Sequence, residues 1–177
     1  MNTKSPLFKV PFRWGLVGGV IASIVIAVLF YFGQHPFLLP AVFDFRIILF
    51  AVFIFFNLKE LRDYYLQGLL FFWQGMIGSF VFITTSALIG SIFTWGFAKW
   101  NGNFLRSYIE KLQAQLISYK DEIITSVGAE TYNQQLAKLP LTSPLDLAGD
   151  YFLKSMIIGL FLAIVITTIL RKQPKPE

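Results

Sequence analysis

Charge avoids most of this chain. No Asp, Glu, Lys or Arg occurs in Trp14–Phe43, Ile47–Leu58, Tyr64–Ala98 or Ser155–Leu170, stretches of 30, 12, 35 and 16 residues. A helix of a soluble domain averages about 11–12 residues and backs its apolar stripe with a polar face. A helix crossing a bilayer needs about 20 residues with little charge on any side. Runs of this length exclude a soluble globular domain, and the same hydrophobicity excludes disorder. The pattern predicts an all-α polytopic membrane protein: four transmembrane helices, a helical extramembrane insert between helices 3 and 4 at about 101–150, and a single membrane domain over 1–177.

The flanks place the spans. The first, about 12–32, follows Lys4, Lys9 and Arg13. Its apolar run is too long for a secretory signal, and no small-x-small cleavage site follows before His35-Pro36, so it reads as a retained helix. The second, about 40–58, takes Pro40 in its first turn and carries Asp44 and Arg46 one turn in. The third, about 69–98, holds Trp73 and Trp95, 22 residues apart. At 1.5 Å per residue that is about 33 Å, close to the hydrocarbon thickness, and indoles favour such boundaries. The fourth, about 152–170, lies between Lys154 and Arg171-Lys172. Lys and Arg crowd the N-terminal flank, the 59–63 loop and the C-terminal tail, while the 33–39 loop has none. The positive-inside rule then puts both termini in the cytoplasm.

Composition narrows the chemistry. The 177 residues contain no cysteine and one histidine, His35. Disulfides, thiolate nucleophiles, Cys-ligated metals and His-x-x-x-His sites are excluded, and no G-x-x-x-x-G-K-[ST] phosphate loop is present. The net charge of +5 sits in short flanks, the signature of membrane orientation rather than of nucleic-acid binding. No catalytic, cofactor-binding or metal-ligating set emerges, and no cofactor is expected. The partners expected are the lipid bilayer and either a second copy of the chain or another membrane protein.

Three groups of residues stand out. Small residues recur at four-residue spacing: Gly15, Gly19 and Ser23 on the first helix, Gly75 and Ser79 and, after an interruption at Ile83, Gly90 on the third, and Ser155, Gly159 and Ala163 on the fourth. Such ridges let backbones approach closely inside a protomer, or line a pore. Asp44, Arg46, Lys154 and His35 form a candidate charge cluster at the outer end. Two residues apart on a helix, Asp44 and Arg46 do not face each other, so their expected partners are Lys154, Lys99 or Asp150. The alternative is that Arg46 snorkels outward while Asp44 sits at a helix N-terminus. Finally, Leu105, Ile109, Leu112, Leu116, Tyr119 and Ile123 recur at heptad steps and predict one amphipathic stripe. It either folds onto a shorter helix, rests on the membrane, or pairs with another chain.

A resemblance covers nearly the whole chain. It rests on Trp14-Gly15-Leu16-Val17-Gly18-Gly19 in the first helix and on Lys59-Glu60-Leu61-Arg62-Asp63-Tyr64 after the second. Leu70-Phe71-Phe72-Trp73-Gln74-Gly75 at the start of the third, the helical insert, and a fourth helix ending in Arg171-Lys172 complete it. Together these resemble a bacterial family of four-helix integral membrane proteins classed as a domain of unknown function. The resemblance implies a fold and a place in the cytoplasmic (inner) membrane, and it brings no activity or catalytic residue. The function expected is non-enzymatic: an accessory, structural or interaction component, or alternatively a subunit of an oligomeric channel or transporter.

Overall fold

The computed structural model describes residues 6–40 and 43–173; Lys4 and Lys175 of the cationic flanks lie outside them. Among the described residues seven α-helices follow in order: α1 Pro6–Tyr31, α2 Phe45–Glu60, α3 Phe72–Trp100, α4 Gly102–Ser118, α5 Lys120–Val127, α6 Ala129–Lys138 and α7 Pro144–Leu170. Among the described residues the only extended pairing is one isolated bridge, Leu70 with Lys172. Helices α1, α3 and α7 are long and apolar enough to cross a membrane, with mean hydropathies of 2.2, 1.9 and 2.3 over their best windows.

The ends of these helices follow local chemistry. Pro11 falls inside α1, past its first turn, where the missing N–H removes one backbone hydrogen bond of the helix. The start expected at Pro40 is overturned. Pro40 belongs to a turn in which its carbonyl accepts the Phe43 N–H, and α2 begins only after Asp44, whose carboxylate caps the Arg46 N–H. A side-chain acceptor at the N-cap satisfies a free helical donor, which a proline one turn earlier cannot do. Helix α3 starts at Phe72, where Gln74 Oε1 accepts the Phe71 N–H at 3.0 Å. Ser143 and Asp146 form a reciprocal capping box at α7, with Pro144 next to the cap.

Glycines set the contacts between the long helices. A Cβ built on Gly159 would lie 2.6 Å from Ile83 Cγ2, and one on Gly75 or Gly90 would strike Thr167 or the Tyr151 ring. As α3 rises through 75, 83 and 90, α7 descends through 167, 159 and 151, so the two helices hold one antiparallel register. The bridge extends that register past the helix ends: Leu70 and Lys172 exchange two backbone hydrogen bonds of 2.9 Å. Helix α1 runs parallel to α3, with Gly15 against Thr85 and Gly19 against Ile89. All nine small residues singled out in the sequence are buried. Beside them, Phe50, Ile54, Leu58, Phe82, Ile83 and Ala163 share a core in which α2 packs its rings against α3 and α7.

Polar contacts fix two ends of this bundle. At one, Arg13 reaches Glu60 at 2.7 Å, Trp14 Nε1 donates to the same carboxylate at 2.7 Å, and the Leu70–Lys172 bridge closes α3 on α7. Asp63 there accepts from the neighbouring Arg62. The other end holds the start of α2, the ends of α1 and α3, and the start of α7.

Candidate functional site

The second end carries the buried charge. Asp44 has an extended backbone (φ −66°, ψ 113°) and lies outside the helix that it caps. Its carboxylate is therefore free to turn back onto Arg46, which donates from Nε to Oδ1 at 2.8 Å and to Oδ2 at 3.1 Å, and from Nη2 to Oδ2. The expectation that the two residues face apart required both to be on the helix, and only Arg46 is. Nor does Arg46 snorkel. It is 4% exposed, its Nη1 donates to the Tyr151 carbonyl at 3.3 Å and to Ser155 Oγ at 3.2 Å, and its guanidinium lies 5.1 Å from the centre of the Tyr151 ring. A planar fork with several donors can bind a carboxylate on one side and α7 on the other. The arrangement ties the start of α2 to α7.

Lys154 does not join this pair. It reaches Asp150 at 2.7 Å, one turn back on α7, where both side chains are wet. Lys99 lies over the Trp95 ring. Exposed i,i+4 pairs contribute little, so the expected four-residue cluster resolves into a buried lock, a surface pair and a separate histidine.

His35 is 3% exposed and sits in an aromatic box, its ring centre 4.7 Å from Phe104, 5.2 Å from Tyr108 and 5.7 Å from Phe37. Nδ1 accepts the Phe37 N–H at 3.4 Å and Nε2 faces the Phe104 carbonyl at 3.2 Å. The neutral Nε2–H tautomer satisfies both contacts. Burial pushes the imidazole down to about 4, helped by nearby Lys111 and opposed by the Phe104 carbonyl. The unfolded chain takes up this proton near pH 6.5 and the folded chain only near 4, so stability is full above about 6.5 and falls with pH through that window. The loss should reach roughly 3 kcal/mol. Thermal melts in detergent between pH 7 and 4 should show it, and His35→Phe should flatten the profile.

The amphipathic stripe is broken. Helix α4 ends at Ser118, Tyr119 leaves helical geometry (φ −105°, ψ 22°), and α5 restarts at Lys120. Asp121 and Glu122 fall in the first turn of α5, where acids favour a new N-terminus. Leu105, Ile109, Leu112 and Leu116 are half-buried on α4, Tyr119 is exposed at the break, and Ile123 is half-buried on α5. Gly128, at φ +88°, separates α5 from α6, on which Tyr132 is buried.

Sequence reasoning missed Tyr151, Phe104 and Tyr108, the residues that receive Arg46 and His35. Phe104 and Tyr108 stand one turn apart, the only signal that could have joined them to the histidine. Among the described residues no three His, Cys, Asp or Glu side chains converge on a point that would hold a metal.

A family model described as "Protein of unknown function (DUF4199)" matches residues 13–172. No curated protein and no solved structure matches the chain.

Proposed function

The chain belongs to the DUF4199 family of proteins of unknown function, and since that membership brings no activity with it, we propose that it is a small non-enzymatic membrane protein that works by binding another chain. The observation that carries this reading is on α4–α6 and the turn after them. Ile117, Tyr119, Val127 and Leu141 are all at least half exposed, on short helices that the long ones leave largely uncovered. Apolar exposure on a segment outside the bundle marks a binding surface where it forms one patch. Asp44, Arg46 and Ser155 at the charged end, by contrast, are occupied with each other. The partner is a second copy or another membrane protein.

Supporting the full topology, α2 begins beside the start of α7 through Arg46 and ends beside the start of α1 through Glu60. It is 16 residues long and continues through a π-helical turn, Leu61–Tyr65, so it travels between the same two ends as its neighbours. We take it as the fourth crossing, with α4–α6 outside the cytoplasmic (inner) membrane of a bacterium and both termini inside. Reporter fusions at Glu177 and at Gly128 should then give opposite sidedness; equal sidedness would remove the four-span arrangement.

Binding is tested by Ile117→Glu with Tyr119→Glu. Cross-linking in native membranes should lose its assembled species while the melting temperature of the purified chain stays unchanged. If assembly survives, α4–α6 is a local cap and the binding reading fails. Ion or solute flux through liposomes holding the purified chain would overturn it in favour of an oligomeric channel or transporter subunit.

A further inference from the structure

Helices α1 and α3 meet at Gly19, where an added Cβ would lie 2.7 Å from Ile89 Cβ, and stay packed to their ends, with Phe30 on Phe97. The furrow along one side of this contact holds two adjoining open pockets. The deeper, of about 550 Å³, is lined by Val20, Ser23, Ala27, Ile89 and Ile92. The outer, of about 810 Å³, is lined by Gly96, Phe97, Trp100, Asn101 and Asn103. Tyr31 and Phe93 border both, so one groove runs from the Gly19–Ile89 contact to the end of α3.

Three features choose its occupant. The groove runs from Ile89 to Asn101, about 18 Å along the helix, close to half of a hydrocarbon core of about 30 Å. Its deep part is apolar, whereas its outer end presents an indole and two asparagine amides, the polarity order of a lipid from chain to headgroup. It also opens directly onto the exposed faces of Val20, Ile24, Val28 and Ile92, the surface that α1 and α3 turn to the bilayer. A partner helix crossing the membrane would need a channel of full width, and this one is closed halfway by Gly19 against Ile89. We propose that the groove is a binding site for a single membrane phospholipid, one acyl chain seated between α1 and α3 and the ester and phosphate region at Trp100, Asn101 and Asn103. The proposal rests on α1 and α3 crossing the bilayer, and not on the sidedness of the chain or on a protein partner.

The test uses the full chain in vesicles of phosphatidylethanolamine and phosphatidylglycerol that contain a phosphatidylethanolamine with a diazirine at mid-chain. After photolysis, label should concentrate on peptides holding Val20–Val28 and Ile89–Phe93. An added Cβ at Gly96 meets nothing within 4 Å, so Gly96→Leu fills the groove without displacing backbone, and it should cut that label severalfold. Gly149 is equally open but lies on α7, and Gly149→Leu should leave labelling unchanged. Ala27→Phe fills the deeper cavity and replaces Gly96→Leu if that variant fails to fold. Label spread evenly over the exposed residues of α1, α3 and α7, or unchanged by both filling variants, would overturn the site. Cross-links from a photoreactive residue at Ile92 to protein instead of lipid would overturn it in favour of a partner helix. Neither result bears on assembly through Ile117 and Tyr119.

Discussion

Arg46→Met should be among the most damaging single substitutions in the chain, costing about 3–5 kcal/mol of bundle stability. Removing one partner of a buried pair strands the other. Here it leaves Asp44 without its cation, and frees the Tyr151 carbonyl and Ser155 Oγ that Arg46 now engages. Asp44→Asn should cost less, because asparagine still caps α2 and the wet side of the carboxylate can be replaced by an amide. The informative variant is the double one. With Asp44→Asn present, Arg46→Met no longer buries an unpaired charge, so the double variant should be more stable than Arg46→Met alone. Melting of all four proteins in one detergent closes the cycle. Equal losses for Arg46→Met with and without Asp44→Asn would show that the guanidinium acts mainly through α7.

The second large effect is expected at Gly159. An alanine there brings its Cβ within 3.0 Å of three atoms of the Ile83 side chain. Such overpacking typically costs about 1–3 kcal/mol, and Gly159→Leu should cost more because α3 and α7 must separate along a shared register. The cause is specific enough to be relieved. Ile83→Ala removes the atoms that collide, so Gly159→Ala should be nearly neutral in that background although Ile83→Ala is itself destabilising. If Gly159→Ala costs the same in both backgrounds, the Ile83 side chain is not what the added methyl meets, and the close-approach account of the position fails.

The sequence reading is right where one kind of pressure dominates. Long uncharged runs place α1, α3 and α7 because bilayer-length hydrophobicity has few other uses, and small residues at four-residue spacing end up buried because only they admit a neighbouring backbone. It fails where two local preferences compete. Pro40 is a good first residue of a helix, yet Asp44 offers an acceptor and takes the cap, and that shift of five residues, to Phe45, turns a pair expected to diverge into a chelate. The heptad steps from Leu105 to Ile123 are regular, yet Asp121 and Glu122 favour a fresh helix start and split the stripe at Tyr119. Contacts between distant parts of the chain, such as Arg46 with Ser155 or His35 with Phe104, leave no periodic trace. They depend on helix crossing, which one sequence does not spell out.

The bridge between Leu70 and Lys172 has a consequence for how the chain tolerates change. It clasps the far end of the α3–α7 hairpin with backbone groups, while the Leu70 side chain is itself buried in the core. The hairpin is thereby held at its open end as well as along its length, and the 43 residues between α3 and α7 are not needed to keep the two helices paired. Loop-closure cost grows only slowly with length. Beyond Phe104 and Tyr108, which hold His35, the α4–α6 region is thus free to lengthen or shorten while the helices beneath it stay in register.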